Sequence, residues 1–246
     1  MKNLPLDQLY FLHNSLTVFM IGACLIIIFL GVTIKARWKK LFISYGLISF
    51  CIIQEILDYL NRIFFDELYS FKFSTDLPLH FCVIGFYFSI FGIYMAISHK
   101  KFNSKLEQFI FDCTYVLGFS GALQALLNVD LTGVNNMIGA FTLNWAHTLI
   151  ILNVLWLIFA YKKTFTIRGV FNAFIFMNVI IFPVGIINYV LDANYMFICS
   201  PPNVESSFFI GEWPIYLIWL EIIYFAYVLV LLLPFELSKR MKSYFN

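Results

Sequence analysis

Two histidines sit in apolar runs where leucine or valine would be ordinary: His80 in Leu77-Pro78-Leu79-His80-Phe81-Cys82, and His147 in Asn144-Trp145-Ala146-His147-Thr148. Either imidazole could take a proton from a hydroxyl, an amine or a thiol, the work of a general base. Glu55 places a carboxylate in a third apolar run, and Cys82 offers a thiol close to His80. Base, nucleophile and a group that orients the base are the parts of covalent or direct acyl transfer. Amides such as Asn144 and Asn194, with nearby backbone N–H groups, could hold the oxyanion of a tetrahedral intermediate. Gln124, Asn188 and Glu221 add polar groups on further runs, where they could bind substrate. Each residue also has a plain structural use. A buried amide can bond two helices for about 1 kcal/mol or less, a buried carboxylate needs a partner, and a free cysteine packs as a small hydrophobe.

The elements that must position these groups are membrane helices. The 246-residue chain is 61% hydrophobic and only 12% charged, with a mean hydropathy of +0.85. Soluble domains run near ~25% charged, so the composition is that of an integral membrane protein. The net charge of +2 makes no electrostatic case for nucleic acid. The five cysteines, Cys24, Cys51, Cys82, Cys113 and Cys199, show neither CxxC nor any other metal-ligand spacing, and their odd number argues against a disulfide framework. No motif calls for a cofactor. One early lysine followed by Pro5, Asp7 and Gln8 does not make a cleavable signal peptide, so the first apolar run reads as a span.

Seven runs are long enough to cross a ~30 Å core as helices: roughly Ser15–Ile34, Leu41–Asn61, Pro78–Ser98, Phe109–Asn128, Phe141–Tyr161, Gly169–Val190 and Trp213–Phe235. The fold expected is all-α, a single polytopic membrane domain over residues 1–246 with seven transmembrane helices. Basic residues set its orientation. Lys35, Arg37, Lys39 and Lys40, then Lys100, Lys101 and Lys105, then Lys162, Lys163 and Arg168, and finally Lys239, Arg240 and Lys242 follow alternate spans, 13 of the 16 Lys and Arg on one side. Lys2, Arg62 and Lys72 lie on the other, beside Asp7, Asp66, Glu67, Asp76, Asp130, Glu205 and Glu212. The positive-inside rule then puts the N-terminus outside and the C-terminus in the cytoplasm.

Counting residues at 1.5 Å each gives depth. Glu55 lies about 9 Å and Glu221 about 12 Å below the outer ends of their spans. His80 falls in the first turn of span three, Gln124 one turn down span four, Asn144 and His147 in the outer third of span five, and Asn188 near the outer end of span six. Six helices therefore offer polar groups to one layer. Glu55, Asp58 and Arg62 share a face at i, i+3 and i+7, where Asp58 can pair with Arg62, and Asn144 and His147 share one at i, i+3. His80 and Cys82, at i and i+2, would not face each other on a helix. Pro183 with Gly185 reads as a break in span six.

The order of these pieces resembles one family. Glu55, Pro78-Leu79-His80, Gly121–Leu127, His147, Asn194-Tyr195-Met196-Phe197-Ile198-Cys199-Ser200-Pro201 and Gly211-Glu212-Trp213 follow one another as in the bacterial YwaF-type membrane proteins and the animal transmembrane protein 164 acyltransferases, over about residues 40–225. The animal members are described as cysteine-dependent phospholipid acyltransferases whose nucleophile lies in Pro-Cys-His-Leu. This chain reads Pro78-Leu79-His80-Phe81, which puts Leu79 at the nucleophile's position and leaves Cys82, three residues on, to stand in.

The resemblance implies a membrane lipid acyltransferase or transacylase of the bacterial plasma membrane, with a lipid substrate and a site in the outer leaflet. His147 would be the base, His80 the second choice, Glu55 the group that orients a histidine, and Cys82 the carrier of any acyl-enzyme. Asn144, Gln124, Asn188, Asn194 and Glu221 would line the substrate. The residues alone leave two other readings open: a transporter or lipid-binding permease using the same cavity, and a sensor without turnover. Donor, acceptor and oligomeric state are not legible.

Overall fold

A computed structural model describes residues 4–98, 102–201 and 209–244, the last three of these by backbone only. Lys2, Lys100, Lys101 and Glu205 of the charge map, with Pro202 and Asn203 of the last outer loop, lie outside the described residues, as does the side chain of Lys242. Every regular element among the described residues is helical. In chain order these are α1 (Leu6–Thr33), α2 (Arg37–Phe65, closing in a π turn from Asn61), α3 (Phe81–Ile97), α4 (Ser104–Leu127, with a π turn over Gly118–Ala122), α5 (Met137–Phe159), α6 (Ile167–Leu191) and α7 (Ile215–Tyr244). A 3₁₀ turn, Tyr195–Phe197, lies between α6 and α7.

Six of these helices are long and apolar enough to cross a membrane, and α3 is a shorter apolar helix of 17 residues. The expectation of a span from Pro78 is corrected at its entry. Leu77 precedes a proline and is biased away from the helical region, and His80 itself is extended, at φ −73° and ψ 148°, so helix begins only at Phe81. Elsewhere the helices overrun their apolar runs, because hydropathy marks the hydrocarbon core whereas capping marks the helix. Asn103, Asn136 and Thr166 accept N–H bonds that start α4, α5 and α6. Pro183 does not break α6, which runs continuously through it; prolines are tolerated in membrane helices where neighbours and local adjustment satisfy the freed backbone.

The bundle is built around α5, which packs against α1, α2, α3 and α4, while α6 packs on α4 and α7 on α6. Lipid tails are as apolar as leucine, so close packing and interhelical hydrogen bonds must hold such a bundle. Both are present. The Trp156 indole donates to the Ser44 hydroxyl at 2.8 Å, tying α5 to α2, and the Asn153 amide donates to Ser89 at 2.9 Å, tying α5 to α3. On α1, a Cβ placed on Gly31 would fall 2.7 Å from the Phe159 Cβ of α5. Gly31→Ala should therefore destabilise the protein by about 1–3 kcal/mol, the usual range for overpacking, with Gly22→Ala as a control because nothing lies within 4 Å of its built Cβ. Thermal unfolding in detergent compares the two; equal midpoints would contradict the packing.

Candidate functional site

Where α2 ends and α3 begins, the bundle opens into a cavity of about 750 Å³. Its walls come from one stripe of α2 (Gln54, Glu55, Asp58, Asn61 and Arg62), the 66–80 loop, the start of α3 (Cys82, Val83 and Phe86), the 130–135 loop and one stripe of α5 (Gly139, Thr142, Leu143, Ala146, His147 and Ile150). Of the residues singled out from sequence, the structure brings Glu55, His80, Cys82 and His147 to this one cavity.

The two imidazoles are held in opposite senses. His147 is buried on α5 and its Nδ1–H donates to the carbonyl of Leu143 one turn back, at 2.8 Å. A neutral ring bonded this way carries its lone pair on Nε2. His80 instead accepts at Nδ1 from the backbone N–H of Met196, at 3.4 Å, so its neutral ring carries its proton on Nε2. Rings of Tyr195 and Phe197, each with its centroid 5.3 Å from that of His80, flank it. One ring is thus set up to take a proton and the other to donate a hydrogen bond. Glu55 does not orient either ring: among the described residues it makes no hydrogen bond to them, and the i−4 carbonyl of α5 takes the Nδ1–H of His147.

The shelf under His80 is built by residues that do not line the cavity. Asn188, buried near the end of α6, grips the backbone of Tyr195 twice, donating to its carbonyl at 3.0 Å and accepting from its N–H at 2.8 Å. Asn194 accepts from the N–H groups of Cys199 and Ser200 and donates to the Ser200 carbonyl and hydroxyl, closing the loop on itself. The Tyr195 hydroxyl donates to the Phe73 carbonyl and accepts from the Leu77 N–H, both at 2.8 Å, and so fastens the 66–80 loop to the shelf. Met196 and Phe197 lie in the left-handed region, at φ 59° and 54°. Such strain persists only where the surroundings over-determine it, as the bonds of Asn188 and Asn194 do here.

The remaining sequence candidates are placed elsewhere. Asn144 faces α1, donating to the Thr17 hydroxyl at 2.9 Å and, at longer range, to His13, whose own Nε2 donates to the Leu126 carbonyl at 3.0 Å. Its amide is consumed between helices and does not reach the cavity. Glu221 of α7 accepts from Asn178 of α6 at 3.2 Å, and Gln124 is half-buried away from the lining. Leu79 packs with Val184, Ala193, Tyr195 and Met196 in an apolar cluster, not in the cavity. Because helix begins only at Phe81, after the extended His80, Leu79 and Cys82 do not share a helix face; the thiol lines the cavity and the leucine does not.

Sequence reasoning missed the charged rim. Arg62 donates to Asp58 at 2.8 Å and also to Asp76 of the 66–80 loop at 3.1 Å, while Thr142 of α5 donates to the other Asp58 oxygen at 2.8 Å. Asp58–Arg62 was legible as a local pair, but Asp76 joins from 14 residues on and carried no periodic signal. Two buried acceptors in the lining, Gln54 Oε1 and Asn61 Oδ1, have no hydrogen-bond partner among the described residues. No group of three or more His, Cys, Asp or Glu among the described residues is arranged as a metal-ligand set.

The model of the TMEM164 family matches residues 6–232, from the start of α1 into α7. No curated protein and no solved structure matches the chain.

Proposed function

The chain belongs to the TMEM164 family, and on that footing we propose that it is a membrane lipid acyltransferase or transacylase working in the cavity of His147, His80 and Glu55. The observation that carries the reading is the pair of imidazoles held in opposite senses on one cavity. His147 Nε2 takes the proton of the acceptor hydroxyl as its oxygen attacks the acyl carbonyl of a donor lipid. The oxyanion of the tetrahedral intermediate receives the Nε2–H of His80, in the role first given to Asn144 and Asn194. Collapse breaks the bond to the donor's oxygen, which leaves with the proton held by His147. Glu55 lines the same cavity as both rings. Gln54 and Asn61 offer their unpartnered oxygens to donor groups of the acceptor lipid.

Transfer is direct in this mechanism, without an acyl-enzyme. Cys82→Ser should therefore keep most of the wild-type rate; if Cys82 carried the acyl group the change would cost nearly all activity, because a hydroxyl attacks far less readily than a thiolate. An acyl adduct on Cys82 in the intact-protein mass spectrum would contradict direct transfer. Comparing the lipids of a deletion strain with wild type tests the function itself. A missing acylated species or an accumulated lyso-lipid is expected; an unchanged lipid profile would favour transport or sensing.

The proposed setting is the outer leaflet, with seven spans, the N-terminus outside and the C-terminus in the cytoplasm, in a bacterial plasma membrane as in the YwaF-type proteins that the motifs resemble. Support comes from the basic loops and from the length of α3, which at 17 residues spans about 25 Å. Cys199 is exposed in the loop after α6 and should react with an impermeant maleimide on intact cells. In a Cys199→Ser background, Ser104→Cys should not react. The reverse pattern would overturn the orientation and the outer-leaflet site with it.

A further inference from the structure

We propose that the opposite end of the bundle carries a second site, a pocket between α4 and α6 that binds the phosphate of an anionic phospholipid headgroup. The pocket has a volume of about 570 Å³, and the exposed Ser104, Lys105 and Arg168 are among the residues that line it. It opens at the end where Lys40 donates to the Ala160 carbonyl, away from the histidine cavity.

The placement of its cations is unusual for a helix left to itself. Lys105 stands in the first turn of α4 and Arg168 in the first turn of α6. The helix dipole is already positive there, so a cation is disfavoured unless an anion answers it. The acid of the α4 first turn is not available, because Glu107 is held by Lys163 at 3.0 Å. Among the described residues neither Lys105 nor Arg168 forms an ion pair. Asp112 is fully buried and within electrostatic reach of Arg168. Its two oxygens are taken by Gln108 at 2.7 Å and Asn172 at 3.0 Å, and a Cβ on Gly169 would fall 2.7 Å from one of them. The Asp112 oxygens are therefore already satisfied, and both exposed cations are left on the pocket lining without an anion among the described residues.

The rest of the lining fits a lipid better than a free ion. Leu106 and Phe109 give the pocket an apolar wall, and Phe109 meets Phe176 of α6 at 5.7 Å between ring centroids, which continues that wall along the helices. A phosphodiester at the mouth, with its glycerol and first methylenes on the phenylalanines, would satisfy both halves. Basic pockets of this kind between membrane helices hold anionic headgroups, and each Lys or Arg contributes about a fivefold gain in binding.

The test is native mass spectrometry of the full chain released from nanodiscs of phosphatidylglycerol and phosphatidylcholine in equal amounts. Wild type should retain phosphatidylglycerol in preference, and the Lys105→Gln/Arg168→Gln double variant should lose about 25-fold of that preference, fivefold for each cation. The charge-keeping Lys105→Arg/Arg168→Lys variant should retain it, which separates loss of charge from loss of fold. Equal retention in wild type and the charge-removed variant would overturn the proposal. Displacement of the lipid by excess inorganic phosphate would overturn its lipid half and assign the pocket to a soluble anion. The inference does not rest on acyl transfer: His147→Gln should leave retention unchanged, whatever it does to catalysis.

Discussion

His147→Gln should lower acyl transfer by about 10²–10⁴-fold, the usual worth of a positioned proton transfer. The substitution is chosen for what it keeps. Glutamine is polar and of similar reach, so the cavity is neither emptied nor left with an apolar hole. What it lacks is a site that gains and returns a proton during turnover. The bond from His147 Nδ1 to the Leu143 carbonyl fixes which nitrogen does this work, because the lone pair is then on Nε2. The loss should fall on kcat, with the apparent affinity for lipid little changed, since the base acts on the attacking oxygen in the transition state. Retained folding is checked by the thermal midpoint. Near-wild-type turnover in a folded His147→Gln protein would remove the histidine mechanism.

The second large effect is expected at His80. His80→Phe should lower kcat by about 10²–10³-fold, the cost of losing one oxyanion donor. Phenylalanine keeps a ring between Tyr195 and Phe197 and so preserves the packing of the shelf. It removes both nitrogens: the Nε2–H that meets the oxyanion and the Nδ1 that accepts from Met196. If His80 were instead a second base, the pH–rate profile would lose one ionisation in the variant. If it were only an anchor, the variant would unfold at lower temperature while turning over normally. The donor role predicts neither: a lower plateau with the profile unchanged in shape.

Residue counting brought Glu55, His80 and His147 to one level, and they line one cavity, but azimuth was poorly legible. Counting residues placed Glu55, His147, Asn144, Asn188 and Glu221 in one layer, but a layer has a circumference. Asn144 and His147, three residues apart, differ by about 60° around α5. That was enough to send Asn144 to His13 and Thr17 of α1 and His147 to the cavity. Glu221 was counted into the same layer but meets Asn178, about 15 Å along α6 from Asn188, at the α6–α7 interface. The α2 stripe was legible because Glu55, Asp58 and Arg62 fall on one helix face; Gln54 and Asn61 join it in the structure. The shelf under His80 was not legible, since it depends on two residues with positive φ and on asparagines that bond backbone rather than substrate. Asn188 and Asn194 were found as polar residues near the right place, but what they hold is a loop. A spacing of three residues would put Leu79 and Cys82 on one helix face, but helix begins only at Phe81, after the extended His80.

Reconstituted acyl transfer tests the central claim most directly. The purified full-length protein is placed in vesicles with a phospholipid carrying an isotope-labelled acyl chain and an unlabelled lyso-lipid acceptor, and the label is followed by mass spectrometry. The account predicts that labelled acyl groups move from donor to acceptor with wild type and that His147→Gln nearly stops the movement. It is contradicted by a folded wild-type protein that moves no label, or by one whose rate His147→Gln leaves unchanged.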